Sequence, residues 1–363
     1  MKKIIFLAAL ALFIFMEGCN SEKAPVTPDG GSQLTIKAYW NDSQDSIAHY
    51  VPMANAKVIL SSEYGMQVKN TDANGVLELT GLPSAVYDVS VRMQHPLDAS
   101  ITLVGTRLSI AISPEKAAVD TIYAQPTSNS GIAINEIYQA GSSSNGLKYF
   151  KDQFIELYNS SDSVKYLDGM MVMRFTGSTT AGVDQDNDGD IDGLSYAYKF
   201  PGNPGERNYP FPPKKFLVLA QYAYNHKNEC AASIDLSNAD WEFYDQFDSK
   251  EFENPNVPNI LNMKSDKAVD FMMALNNDVI VISDGRDQTL TDGIDISTVL
   301  DGVEFQTDSK TAKTLDSRID RGYTISPPSY SGKSIQRRQA GEDTNNSQLD
   351  WEILPYPTPG YQK

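Results

Sequence analysis

The sequence predicts an all-β chain built as two β-sandwiches, and three observations carry that prediction. Apolar residues alternate with polar ones in short runs, and Gly, Pro, Asn and Asp cluster between the runs. No stretch after the leader keeps a helical period. At 363 residues the chain is long enough for two domains of ordinary size.

The leader comes first. Lys2-Lys3, an apolar run from Ile4 to Met16, and then Glu17-Gly18-Cys19 make residues 1–18 a secretory signal, too short to span a bilayer stably. A small residue followed by Cys resembles the lipobox of bacterial lipoproteins, although Glu17 stands where that box prefers a small residue. The resemblance implies that Cys19 is acylated and becomes the mature N-terminus. Two or three acyl chains, at roughly 0.8 kcal/mol per buried methylene, would hold the protein on the membrane. Residues 19–33 are rich in Ser, Pro, Gly and other polar residues and read as a tether. Glu22 near the acylated Cys is similar to the surface-export signal of Bacteroidetes lipoproteins. The expected location is the outer membrane, lipid-anchored, at the cell surface.

Residues 34–124 read as the first sandwich. Strands are expected at Leu34–Trp40, Lys57–Leu60, Val76–Leu79, Tyr87–Val91, Thr102–Ile112 and Val119–Tyr123. Thr71-Asp-Ala-Asn-Gly75 is a turn, with Gly75 placed for positive φ. Ala54-x-Ala56-x-Val58, the same turn, and Gly81-Leu82-Pro83-x-x-x-Tyr87-x-Val89 resemble the transthyretin-like, carboxypeptidase-regulatory-like sandwich. That resemblance implies a spacer or docking module without catalysis.

After the polar linker Gln125–Ser130, residues 131–363 read as a second β-rich region. Ile132–Ile137, Phe154–Asn159, Lys215–Leu219 and Val279–Ile282 are expected strands, separated by polar insertions at Gly177–Ser195 and Gln246–Lys267. Ile134-Asn-Glu-Ile137, Phe154-Ile-Glu-Leu-Tyr-Asn159, Leu167-Asp-Gly169, Asp284-Gly285, Ser334–Arg338, Trp351 and Thr358-Pro-Gly360 resemble, in order, the lamin-tail domain. That family implies an immunoglobulin-like sandwich, here elaborated by long insertions. The whole chain resembles a Bacteroidetes lipoprotein family carrying such a domain.

A formal net charge of -17 and the lack of any Lys/Arg cluster exclude nucleic acid as a partner. With Cys19 acylated, Cys230 has no partner for a disulfide and is expected as a small buried hydrophobe. His226-Lys-Asn-Glu-Cys230 is ligand-rich but turn-like, and no zinc spacing occurs around His49, His95 or His226.

The strongest site candidate is Asp184-Gln-Asp186-Asn-Asp188-Gly189-Asp190-Ile191-Asp192-Gly193. Carboxylates at positions 1, 3 and 5 with Gly at 6 follow the EF-hand calcium loop, but Ser195 stands at position 12 in place of the bidentate Glu. Calcium bound by Asp184, Asp186, Asp188, Asp190 and Asp192 is therefore expected, in a structural role. Its alternative is a solvated acidic hairpin tip. Tyr196, Tyr198, Tyr209, Tyr222, Tyr224 and Trp241 could form an aromatic ligand surface for a glycan or peptide, or could simply be strand residues. Glu136 and Glu156 sit in the lamin-tail signature, where they are expected to hold loops rather than catalyse.

No nucleophile elbow, catalytic triad setting or phosphate loop is present, so the chain is not expected to be an enzyme. The expected function is a lipid-anchored binding or accessory protein. It would capture an extracellular ligand, or dock to an outer-membrane nutrient importer or other surface lipoproteins. The alternatives are a calcium-dependent hydrolase of a glycan or peptide, and a structural envelope or adhesin component.

Overall fold

The computed structural model describes residues 31–43, 48–97, 101–114, 117–128, 130–175, 181–266 and 270–363. The leader, Cys19 and most of the tether lie outside the described residues. The architecture is all-β, with one single-turn α-helix at Ser347–Asp350 and two short 3-10 turns among the described residues.

Residues 32–128 form an eight-stranded sheet. One pair near its edge, Ser32–Asn41 and Ala118–Ser128, is parallel; every other pairing in it is antiparallel. Alternation decides which face is core: Leu34, Ile36, Ala38 and Trp40 point inward, while their neighbours are exposed or half-buried. They pack on Val58, Leu60, Tyr87, Val89 and Leu103. The turn expected at Thr71–Gly75 is fixed by side chains. Thr71 Oγ1 donates to Met53 O (2.6 Å) and accepts from Ala56 N (2.9 Å). Asp72 Oδ1 accepts from Asn74 N and Val76 N, at 2.9 and 2.7 Å. Gly75 has φ +72°, and a Cβ there would lie 2.6 Å from Ala38 O.

Residues 132–354 form a twelve-stranded sheet. It runs from Thr324–Ile325 through Val299–Gln306, Asp278–Ser283, Met171–Phe175, Leu194–Lys199, Asn259–Asn262, Trp241–Tyr244, Phe216–Ala220, Phe154–Asn159, Ile132–Tyr138 and Ser334–Arg337 to Trp351–Leu354. The sheet curls so that Val299–Gln306 meets Ile132–Tyr138: Ile134 N donates to Asp301 Oδ2 at 2.8 Å. Ile132–Tyr138 and Asp278–Ser283 are buried along their whole length, so both faces are covered. One face lies in the main core with Phe200, Trp241, Phe271 and Trp351. The other is covered by smaller apolar clusters around Met171 and Ile191 and around Phe154 and Leu236.

Two stretches read as polar insertions contribute to this sheet. Leu194–Lys199 begins inside the first, and Asn259–Asn262 lies inside the second. Met171–Phe175 and Val299–Gln306 were also not foreseen as strands. Met171–Phe175 pairs with Leu194–Lys199 and with Asp278–Ser283, and Asp278–Ser283 pairs in turn with Val299–Gln306.

Closure of the curled sheet depends on Arg337. Its buried guanidinium donates to Ile134 O (2.7 Å), Asp301 Oδ2 (2.8 Å), Glu342 O (3.0 Å) and Asp350 Oδ2 (3.1 Å). It also lies 5.2 Å from the Trp351 ring. Removing the cation leaves Asp301 and Asp350 buried without it. Arg337→Met should therefore cost about 3–5 kcal/mol, read as a lower urea midpoint, and adding Asp301→Asn and Asp350→Asn should recover part of the loss. A single variant within about 1 kcal/mol of wild type would contradict this role.

Candidate functional site

The acidic loop is held rigidly at its base. Gly182 N donates to Asp192 O (2.7 Å) and Asp192 N to Val183 O (3.0 Å). Ile191 is fully buried beside Ala181 and Ile294, and Asp190–Ile191 pairs with Ile294–Asp295. Gly189, at the sixth loop position, takes φ +105°. Its N–H donates to Asp184 Oδ2 at 3.2 Å, which turns the chain back over the carboxylates.

Three of the five aspartates converge. Asp184, Asp186 and Asp188 each place a carboxylate oxygen within 4.8 Å of the other two. Asp190 and Asp192 lie outside this group. Asp192 Oδ2 accepts from Gln185 N at 3.0 Å and so braces the loop. Asp190 faces a different set of acids: burial, together with Asp188, Asp287, Asp295 and Asp292, pushes its carboxyl up to about 6. Of the five aspartates expected as ligands, Asp184, Asp186 and Asp188 thus bring carboxylate oxygens together, while Asp190 and Asp192 have the other neighbours just described.

Asp184 is the innermost of the three. Its Oδ2 pairs with Arg318 Nη2 at 2.6 Å, and that bond leads the causes holding its carboxyl below the usual range. Its Oδ1 is buried and has no hydrogen-bond partner among the described residues. Hard oxygens gathered around an unfilled oxygen suit calcium, which takes oxygen ligands at about 2.3–2.6 Å.

Arg318 also lines a cleft of about 480 Å³ between the two sheets. Val104, Gln125 and Pro126 form one wall, and Ile296, Leu300 and Ile319 contribute to the other. Arg321 lines it too, with a buried Nη1 that has no acceptor among the described residues. Burial lowers the pKa of this guanidinium, against the opposing charge of Asp320. Sequence reasoning missed the cleft because its walls come from segments nearly 200 residues apart in the chain. No local motif announces such a site.

The aromatic set is mostly interior. Tyr198 is fully buried, edge-on to Phe243 and Phe271 at ring separations of 5.4 Å. Trp241 packs against Phe200 and Tyr209, and Tyr222 is 7% exposed. Only Tyr196, Tyr209 and Tyr224 are half-buried, and they do not make one face with the others. These side chains are core formers, so the aromatic-surface reading is corrected: strand preference and burial explain them. His226 is likewise internal, bound to Tyr149 Oη (2.8 Å) and Tyr222 O (3.0 Å), and burial lowers its pKa. Cys230 is buried and free.

Glu136 and Glu156 face each other on paired strands, fully buried. Both bind the C-terminal segment. Glu136 accepts from Thr358 N (2.9 Å), Thr358 Oγ1 (2.7 Å) and Gln336 Nε2 (3.0 Å). Glu156 accepts from Gly360 N (2.5 Å) and Asn135 Nδ2 (3.0 Å). A pair resembling catalytic carboxylates is a clamp on Thr358-Pro-Gly360.

Residues 212–295 and 285–358 match a family model described as protein of unknown function (DUF4876). Among solved structures the chain is similar to a DUF4876 family protein from Bacteroides thetaiotaomicron VPI-5482, with a TM-score of 0.54 and 22% identity over 88% of this chain and 94% of that one. That likeness shows a shared fold. A protein put forward as carbohydrate binding, from Bacteroides uniformis ATCC 8492, superimposes with a TM-score of 0.18 at 12% identity, over 53% of this chain and 99% of that one. That superposition is too distant to bear on function. No curated protein matches the chain.

The clamp makes stability depend on pH. Burial, reinforced by the charge of Glu136, pushes the Glu156 carboxyl up to about 8, against an ordinary value of 4.5. An acid whose folded pKa is raised favours the folded state fully below its unfolded value, and loses that advantage as pH rises through the folded one. Unfolding free energy should therefore fall between about pH 5 and pH 8, and Glu156→Gln should flatten that decline. Urea titrations at both pH values check it; identical slopes in the two proteins would refute the assignment.

Proposed function

We propose that the protein is a lipid-anchored binding or accessory protein of the outer membrane, facing the cell surface, whose ligand site is the cleft between the two sheets. The single observation behind this reading is Arg321, a poorly compensated cation in a cleft of ligand size. A guanidinium lacking an acceptor favours a ligand that brings carboxylate or carbonyl oxygens, such as an acidic glycan or a peptide carboxyl terminus. Ile296, Leu300 and Ile319 would cover its apolar part. Such a ligand could be held for transfer to an importer complex or another surface lipoprotein. Calcium at Asp184, Asp186 and Asp188 would stiffen the loop that supports Arg318, next to the same cleft.

The hydrolase alternative required acids and tyrosines facing one deep cleft. Tyr198 and Trp241 lie in the core instead, and Glu136 and Glu156 are occupied with backbone groups. A purely structural envelope component would leave the Arg321 donor without a use.

Two outcomes test the reading. Cys19→Ala should move the protein from the membrane to the soluble fraction; palmitate labelling that persists in this variant would reject the anchor. In binding assays against paired acidic and neutral oligosaccharides and peptides, the acidic members should bind. Arg321→Gln should weaken them by about tenfold or more at unchanged melting temperature. Equal binding by the variant would remove the cleft from consideration.

A further inference from the structure

The cleft between the sheets continues beyond the walls already described. A neck of about 20 Å³, lined in part by Gly131, Ala133 and Gly341, leads from it to a second hollow of about 380 Å³. Leu300 lines all three spaces. Asp343 and Asn345 are shared by the cleft and the neck, and Ser130 and Ile132 by the neck and the second hollow. The three spaces make one groove with a narrow waist.

The charge balance of this groove departs from that of the chain. The sequence holds 30 Lys and Arg against 47 Asp and Glu, yet Arg92, Lys165, Arg207, Arg286, Arg318 and Arg321 line the groove against five acids. Those acids are already engaged. Asp301 and Asp343 pair with Arg337, and Asp284 pairs with Arg286. Asp168 accepts from Asn208 N and Tyr209 N, and Glu206 from Asn203 N at 3.1 Å. Arg286 and Arg318 have acids of their own. Arg92, Lys165, Arg207 and Arg321 form no ion pair among the described residues: Arg92 donates to Asp343 O, and Arg207 lies over the Tyr166 ring at 5.6 Å. The unpaired cations stand apart, with Arg321 in the cleft, Arg92 at the neck, and Lys165 and Arg207 in the second hollow.

We propose that the groove binds a linear acidic oligosaccharide, with the acid group of one sugar at Arg321, that of another at Lys165 and Arg207, and the linkage between them crossing the neck. This rests on the cleft reading above and extends it from one anionic group to two, which a peptide carboxyl terminus does not supply. Guanidinium groups take carboxylate or sulfate oxygens through paired N–H donors, and a walled groove of one sign focuses its field on such a ligand. Between the cations the lining mixes apolar Leu300, Ile319 and Met170 with the neutral polar groups of Gln125, Ser297 and Ser317. That mixture suits sugar rings, which present C–H faces and hydroxyls together. A waist walled by Gly and Ala passes a glycosidic linkage but not a branch.

Calorimetry on the full chain tests this with galacturonic acid and its linear oligomers up to the hexamer, the methyl esters of those oligomers, sulfated maltooligosaccharides, and pentaglutamate. In at least one acidic series the oligomers should bind about tenfold or more tighter than the monomer, and neutral esters should lose that gain. Binding by either acidic series supports the proposal and tells a carboxylate ligand from a sulfate one. Lys165→Gln combined with Arg207→Gln, at unchanged melting temperature, should bring the oligomers down to the affinity of the monomer. Arg321→Gln should weaken monomer and oligomers alike. Equal affinity for monomer and oligomers, or oligomer binding unchanged by the Lys165 and Arg207 substitutions, overturns the two-part groove and leaves the cleft reading standing. Binding lost in that double variant but kept in Arg321→Gln overturns both. No binding by either acidic series, or pentaglutamate binding as tightly as the best oligosaccharide, overturns the assignment to a sugar.

Discussion

A single buried guanidinium sets the geometry on which the rest of the molecule depends. Arg337 reaches Ile134 and Asp301 on two strands that the curl of the sheet brings together, and Asp350 at the end of the short helix. Its bond to Glu342 O fixes the segment that the first sheet contacts. There Lys57 pairs with Glu342, Arg92 donates to Asp343 O, Ser90 Oγ approaches Thr344 O at 3.4 Å, and Gln348 Nε2 donates to Asp88 Oδ2 at 3.0 Å. Asp343 and Asn345 in the same segment line the cleft. One cation thus serves sheet closure, contact between the sheets and the position of a cleft wall. Three acids share it: Asp301, Asp343 and Asp350. Burial raises the Asp301 and Asp350 carboxyls even though Arg337 opposes that shift. Burial outweighs the cation, because one charge cannot compensate three.

The other buried acids explain why so acidic a chain folds. A net charge of -17 suggests an acidic surface, yet Glu136, Asp152, Glu156, Asp168, Glu242, Asp301 and Glu304 are all inside. Most accept from backbone N–H groups of irregular segments. Asp168 takes Asn208 N and Tyr209 N, Glu242 takes Ala223 N and Asn254 N, and Glu304 takes Thr314 N and Leu315 N. Long insertions expose many backbone donors that no sheet pairs, and a carboxylate can satisfy two at once. The acids are the internal scaffold of the insertions as much as a feature of the surface.

This accounts for what was legible in the sequence and what was not. Ser32–Asn41 and Phe154–Asn159 could be read because alternation or a continuous apolar run is local information. The Thr71–Gly75 turn was legible for the same reason, since Asp72 and Gly75 act within a few residues of themselves. Leu194–Lys199 escaped notice because its pattern is interrupted by polar residues and its partners are Met171–Phe175 and Asn259–Asn262. The tyrosines misled for a related reason: an aromatic in a strand reads the same whether its face meets solvent or, like Tyr198, the ring of Phe271. Arg321 carries no motif, because its meaning arises only when distant segments meet.

Arg318 joins the two parts of the proposed site and sets a limit on how they can act together. It binds Asp184 Oδ2 at 2.6 Å and Asp316 Oδ1 at 3.0 Å while lining the cleft. A calcium ion in the acidic loop would seek the same Asp184 carboxylate, whose Oδ1 is the oxygen still open. If the ion used Oδ1 alone, Arg318 could stay in place as a supporting cation at the cost of repulsion. If it used both oxygens, Arg318 would keep only Asp316 and its guanidinium would turn toward the cleft. In the second case calcium and an anionic ligand favour one another, and linkage makes that preference reciprocal. The open oxygen and the exposure of about half the Arg318 side chain make the second arrangement sterically accessible. With calcium bound in that second way, the acidic loop would adjust the charge of the cleft it adjoins as well as stiffen an insertion.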